Sequence, residues 1–279
     1  MVDNIIQLVR EKLSSLSYIE GIVLGGSRAR GTHTEDSDVD IGIYYQSESF
    51  DLDAINQLAT ELDDEHRSNL ITPPGAWGNW VNGGGWLIIQ GHHVDLILRD
   101  IKRVEQVMKD TEQGIITSNY QTGHPHGYIS AMYRGELGIS KILYAKSDSF
   151  CEFKKQAETY PSALQKGLID FFMFEAGFSL IFAKASMDKD DISYVCGHCF
   201  RSISCLNQVL FAMNEEYCIN EKKSVNMINA FKIKPCGYKE KIDKIISLIS
   251  SDVDSTRKGI DILEGLINDV EGLKGVNVL

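Results

Sequence analysis

The chain has 279 residues and a mass of 31.2 kDa, with 43% apolar and 24% charged side chains. This composition excludes a disordered chain, a collagen-like repeat and a disulfide-dense miniprotein, and at ~150 residues per domain the length suggests about two domains. Its 28 basic and 39 acidic residues leave a net charge of −11, without the basic stripe that favours phosphate backbones, so long nucleic acid is not an expected partner.

Asp3 is an expected cap for a first helix, whose apolar residues Ile5, Ile6, Val9 and Leu13 recur at helical spacing. Tyr18 to Leu24 is β-branched and apolar and stops at Gly25-Gly26; a second strand is expected over Val39 to Tyr45, and a helix over Asp51 to Arg67. Pro73 to Gly85 is rich in Gly, Pro and Trp and is expected to be a mobile loop. Trp86 to Gln90, Gly91-His92 and His93 to Leu98 suggest a hairpin, followed by a helix over Ile101 to Glu112. From about residue 149 the pattern turns helical: Pro161–Met187, Asp191–Asn214, Lys239–Ile249 and Asp254–Asp269 carry apolar residues at spacings of three and four. The expected architecture is α+β, with a mixed-sheet domain over 1–148 and a helical bundle over 149–279. No apolar run approaches the ~18 residues needed to span a bilayer. Met1-Val2-Asp3-Asn4 does not open a signal peptide, and the six cysteines all fall in the second half. The expectation is a cytoplasmic protein with reduced thiols and no membrane partner; the oligomeric state is left open.

One segment carries chemistry. A strand runs into Gly25-Gly26-Ser27, and Asp38 and Asp40 stand one residue apart at the start of the next strand. Residues i and i+2 of a strand share a face, so both carboxylates point the same way, as oxygen ligands of one hard cation should. The glycines let phosphate oxygens approach backbone N–H groups, and Ser27 adds a hydroxyl. A third acid, Asp95, lies in the apolar strand Val94-Asp95-Leu96-Ile97; if the strands are neighbours, three acids converge, and a divalent cation such as Mg²⁺ relieves their repulsion. The bland alternative, an acidic turn plus a solvent-facing strand residue, leaves the glycines unexplained.

Gly25-Gly26-Ser27, then Asp38-Val39-Asp40, then Asp95 in a strand resembles the polymerase-β-like nucleotidyltransferase superfamily, over about Ile22 to Leu98. In size and helical second half the chain is similar to small-molecule members that adenylylate aminoglycoside and lincosamide antibiotics. The resemblance implies that Gly26 and Ser27 hold the β and γ phosphates and that Asp38, Asp40 and Asp95 bind Mg²⁺. It implies ATP as donor, a small-molecule acceptor, release of pyrophosphate and a role in antibiotic resistance. Two alternatives stand beside it: transfer to a protein side chain, and a nucleotide-binding regulator without catalysis.

Glu136 is the candidate general base for the acceptor hydroxyl, because related enzymes use a carboxylate outside the metal triad; a helix-surface glutamate is its alternative. Arg28 and Arg30 follow the Gly-Ser directly and are candidate triphosphate contacts, with support of the loop as their alternative; Lys141 is a third phosphate candidate. His92-His93 and His124-Pro125-His126 lack a full zinc ligand set. Cys196-Gly197-His198-Cys199 falls inside a helical pattern, where cysteines fill cores. The stripe Phe171, Phe172, Phe174, Phe178 and Phe182 is expected in the bundle core.

Overall fold

The computed structural model describes residues 2–274. The chain divides into two compact units, Met1–Asp110 with Thr117–Thr159, and Thr111–Ile116 with Tyr160–Leu279.

In the first unit the elements run α1 (Val2–Leu13), β1 (Ile19–Leu24), α2 (Gly26–Arg30), β2 (Val39–Tyr45), α3 (Leu52–Leu62), β3 (Gly84–Ile89), β4 (His92–Asp100), α4 (Ile101–Glu112), β5 (Ser118–Gln121), β6 (His124–Ile129), α5 (Met132–Ile139), β7 (Lys141–Ala145) and α6 (Asp148–Glu158). A five-stranded mixed sheet has the order β3-β4-β2-β1-β7. β2 and β4 pair in parallel; the other neighbours are antiparallel. Alternation puts Val39, Ile41 and Ile43 of β2 and Val94, Leu96 and Leu98 of β4 on one face, in a core shared with Ile5, Val9 and Leu13 of α1 and Ile55, Ala59 and Leu62 of α3. Burying each such side chain is worth about 1.5–3 kcal/mol. The opposite face carries the register pair Asp40 and Asp95 toward one end and the buried pair Tyr44 and Arg99 toward the other.

The Asp51 carboxylate caps α3 by accepting from the Ala54 amide at 3.0 Å. The helix stops at Leu62, short of the expected Arg67, because Asp63 turns inward. Its buried carboxylate accepts from Arg67 Nη2 (2.6 Å) and from the Ile88 amide of β3 (2.9 Å). The Arg67 guanidinium and these amides hold the Asp63 carboxyl well below the usual range. The hairpin turns at Gln90-Gly91, both at positive φ (51° and 77°), one residue before the expected Gly91-His92. That shift sets the register: Trp86 stands opposite Asp95, not Ile97.

The 73–85 segment, expected to be mobile, is tied down. The buried Gln121 side chain accepts from the Trp80 and Val81 amides (3.1 Å each) and donates to the Trp77 carbonyl. Asn82 donates to the Tyr45 hydroxyl at 2.7 Å, Tyr133 donates to the Trp80 carbonyl, and the Arg103 guanidinium lies over the Trp80 ring. The first unit also runs past the expected boundary at 148/149, because α6 packs on the sheet. Its Phe150 ring meets Tyr44 edge-on at 5.3 Å and covers Gly21, where any Cβ would overlap it.

The second unit is helical, as expected: α7 (Ser162–Ser186), α8 (Ile192–Met213), α9 (Ser224–Ile228), α10 (Tyr238–Leu248) and α11 (Val253–Gly272). Asp191 caps α8 through the Tyr194 amide at 3.2 Å. The aromatic stripe departs from expectation. Phe172 is fully buried with Leu168, Ala176 and Leu180, whereas Phe171, Phe174 and Phe178 are 44%, 72% and 48% exposed. The α7 face that enters the core is the neighbouring one, and Phe174 and Phe178 stack on each other outside it at 5.6 Å. All six cysteines are free, with Cys199 and Cys205 in the core; burial pushes the Cys199 thiol up to about 12. No helix among the described residues is long and apolar enough to cross a membrane.

Candidate active site

The parallel register pairs Asp40 of β2 directly with Asp95 of β4. Adjacent strands lie ~4.8 Å apart and register partners share a face, so the two carboxylates stand side by side on the face opposite the α1–α3 core. Asp38, exposed, immediately precedes β2. Burial first, then Asp40 and Asp38, push the Asp95 carboxyl up to about 6, with His93 opposing. Burial and then Asp38 raise Asp40, with Arg28 opposing. Asp38 thus acts on Asp40, and both act on Asp95, as acids of one electrostatic neighbourhood do.

The glycine turn abuts this set. The Gly25 amide donates to the Asp40 carbonyl at 2.8 Å, which splices the end of β1 to β2. Gly26 follows at φ +57°, and a Cβ there would overlap Oδ2 of Asp40. Both glycine properties, the left-handed backbone and the missing side chain, are therefore needed at Gly26. Ser27 continues into α2 and is half-buried.

Arg28 takes the structural alternative to its expected phosphate contact. It is buried, and its guanidinium donates to the carbonyls of Asp38 (Nε, 3.0 Å) and Ser37 (Nη2, 2.6 Å). It thereby fixes the loop that presents Asp38. Arg28→Ala is expected to raise the KM for nucleotide about tenfold with a smaller change in kcat, because a loosened ligand loop weakens binding before chemistry; steady-state kinetics checks this. Arg30 ends α2, half-buried. Lys141 is exposed on edge strand β7 at the register of Leu24, whose side chain belongs to the α1–α3 core. Its place is on the far face of the sheet from Asp40.

Glu136 is not brought to the carboxylates. Its oxygens accept from Arg99 Nε (2.7 Å) and Nη2 (2.8 Å), and Arg99 is buried four residues beyond Asp95, about 13 Å along the strand at ~3.3 Å per residue. Arg99 also lies over the Tyr133 ring at 5.0 Å. This bidentate pair anchors α5 to β4. Glu136→Ala leaves a buried guanidinium without its counter-charge and is expected to destabilise the protein by about 3 kcal/mol, with turnover per folded molecule within about threefold of wild type. Denaturant unfolding combined with activity checks both; a large loss of turnover at unchanged stability restores the base role.

Residues 6–117 match the nucleotidyltransferase domain family, a family of the polymerase-β-like superfamily. No curated protein matches the chain. Among solved structures, a nucleotidyltransferase-like protein from Exiguobacterium sibiricum aligns over 99% of this chain and 77% of its own, at 10% identity and a TM-score of 0.48.

Proposed function

We propose that this protein transfers a nucleoside monophosphate, AMP from ATP, to a hydroxyl of a small-molecule acceptor of the aminoglycoside-like class and releases pyrophosphate. The observation that carries this reading is the Asp40–Asp95 register pair set against the Gly25-Gly26 turn. Asp38, Asp40 and Asp95 would hold Mg²⁺, which supplies charge neutralisation for the triphosphate and acidifies a bound hydroxyl. The chain's own groups do the rest. Backbone N–H groups at Gly26 and Ser27 receive the β and γ phosphates. The acceptor oxygen forms the new bond to the α-phosphorus as the bond to pyrophosphate breaks, and a carboxylate oxygen of Asp95 takes the hydroxyl proton. Negative net charge favours approach of a cationic acceptor.

Calorimetry with ATP and Mg²⁺, followed by pyrophosphate release with and without aminoglycosides, lincosamides or protein acceptors, tests the reading. Acceptor-dependent pyrophosphate release supports it. Nucleotide binding without release for any acceptor identifies a regulator, and release only with protein identifies a protein-modifying enzyme.

A further inference from the structure

Beside the carboxylates lies a feature that the transfer chemistry does not use. Trp86 of β3 is the cross-strand partner of Asp95, so its indole stands on the same face, ~5 Å away at the Cβ atoms. It is 60% exposed, although its strand neighbours Gly85 and Leu87 are buried. The Trp77 ring stacks on it at 4.6 Å with planes 23° apart. Trp77 also covers Gly84, where a Cβ would lie 3.0 Å from the indole. The backbone at and after Trp77 is pinned, through Gln121 to its carbonyl and to the amides of Trp80 and Val81. A large apolar ring held rigid and open to solvent next to three acids is a platform awaiting a ring.

Its position says which ring. Across this face the order is Trp86, Asp95, Asp40 and the Gly26 turn, with Trp77 stacked on Trp86 over Gly84 of the same strand. In-line displacement puts the attacking and leaving oxygens on opposite sides of the α-phosphorus. With pyrophosphate leaving toward Gly26, the attacking hydroxyl arrives from the Asp95 side, over Trp86. We propose that Trp86, backed by Trp77, is the stacking platform of the acceptor subsite and a specificity-determining residue that selects hydroxyl compounds whose saturated ring lays a C–H face on the indole and carries an ammonium group, such as an amino sugar. The inference rests on the transfer reading. A cation over an indole face beside carboxylates is favoured twice, by the ring quadrupole and by charge.

The test uses the intact chain, its tryptophan emission, and two probes: methyl glucosaminide, and α,β-methylene-ATP with Mg²⁺. In the wild type the amino sugar is expected to give a saturable emission change, larger than that from methyl glucoside. By calorimetry Trp86→Ala abolishes amino-sugar binding, Trp86→Phe retains part of it, and nucleotide-analogue affinity stays within about twofold. In turnover with an aminated sugar acceptor, Trp86→Ala raises the acceptor KM about tenfold and leaves the nucleotide KM unchanged. The proposal is overturned if the amino sugar gives no response in the wild type, if amino-sugar binding survives in Trp86→Ala, or if Trp86→Ala loses the nucleotide analogue instead, which makes the platform a base-stacking site. Failure of the wild type to bind the analogue with Mg²⁺ overturns the transfer reading itself, while the sugar titration still scores the platform.

Discussion

Asp40→Asn is expected to lower nucleotidyl transfer by at least ~10²-fold, the scale of losing one preorganised electrostatic contact, while the protein stays folded. The same holds for Asp38→Ala. The two effects separate because these acids form a repulsive set: Asp40 and Asp95 are register partners, and each carboxyl is raised by burial and by its acidic neighbours. Removing one charge relieves its neighbours, so the metal-free variant should be no less stable than the wild type. Near-normal turnover in either variant sinks the metal assignment.

Burial together with this repulsion predicts a pH dependence of stability. Asp95 has its carboxyl pushed up to about 6 in the folded protein, from an ordinary value of 3.8. The folded form therefore holds this proton more tightly than the unfolded chain does, and metal-free stability falls as pH rises from about 4 through about 6. Since the group is partly exposed, solvent screening reduces the effect to about 1 kcal/mol. Asp95→Asn is expected to flatten that part of the profile and to match the wild type below pH 4. Thermal unfolding in chelator across this range measures it; equal slopes in both proteins would show that the fold does not shift the Asp95 carboxyl.

The carboxylate face was legible because β2 alternates cleanly: Val39, Ile41 and Ile43 go inward, which leaves Asp40 outside. Asp95 stands out for the same reason between buried Val94 and Leu96. Their pairing was not legible, since alternation fixes a residue's face and not which strand lies beside it or in what register. The side chains that decide the roles of Arg28 and Glu136 lie behind the same barrier. Arg28 reaches carbonyls nine and ten residues onward, and Glu136 meets Arg99 across 37 residues; no local pattern encodes either contact. The β5–β6 hairpin was missed because Ser118-Asn119-Tyr120-Gln121 and His124-Pro125-His126-Gly127 carry almost no apolar alternation. Side-chain bonds hold it instead, as where Ser130 Oγ accepts from the Thr117 amide at 3.0 Å. The α7 stripe failed for a different reason: aromatic residues at helical spacing report a face, and a 25-residue helix has more than one.

Gly26→Ala is expected to cost both stability and nucleotide binding, and Gly31→Ala shows why. Gly26 opens α2 and Gly31 follows it, both at positive φ, +57° and +74°, so alanine at either pays the strain of the left-handed region, about 1–2 kcal/mol. At Gly31 nothing lies within 4 Å of the added Cβ, and strain is the whole effect. At Gly26 the methyl also overlaps the Asp40 carboxylate. The turn has no room to retreat, because the Gly25 amide is bonded to the Asp40 carbonyl one residue earlier. Either the carboxylate swings away from Asp95 or the turn unhooks from β2, and both destroy the site. We therefore expect Gly31→Ala to lose stability alone, with nucleotide affinity within about twofold of wild type. Gly26→Ala should lose stability by a further ~1–2 kcal/mol and nucleotide affinity by about 10²-fold. Denaturant unfolding and calorimetry with ATP and Mg²⁺ on the pair distinguish backbone strain from overlap. Equal nucleotide affinities in the two variants would mean that phosphate is not held at this turn.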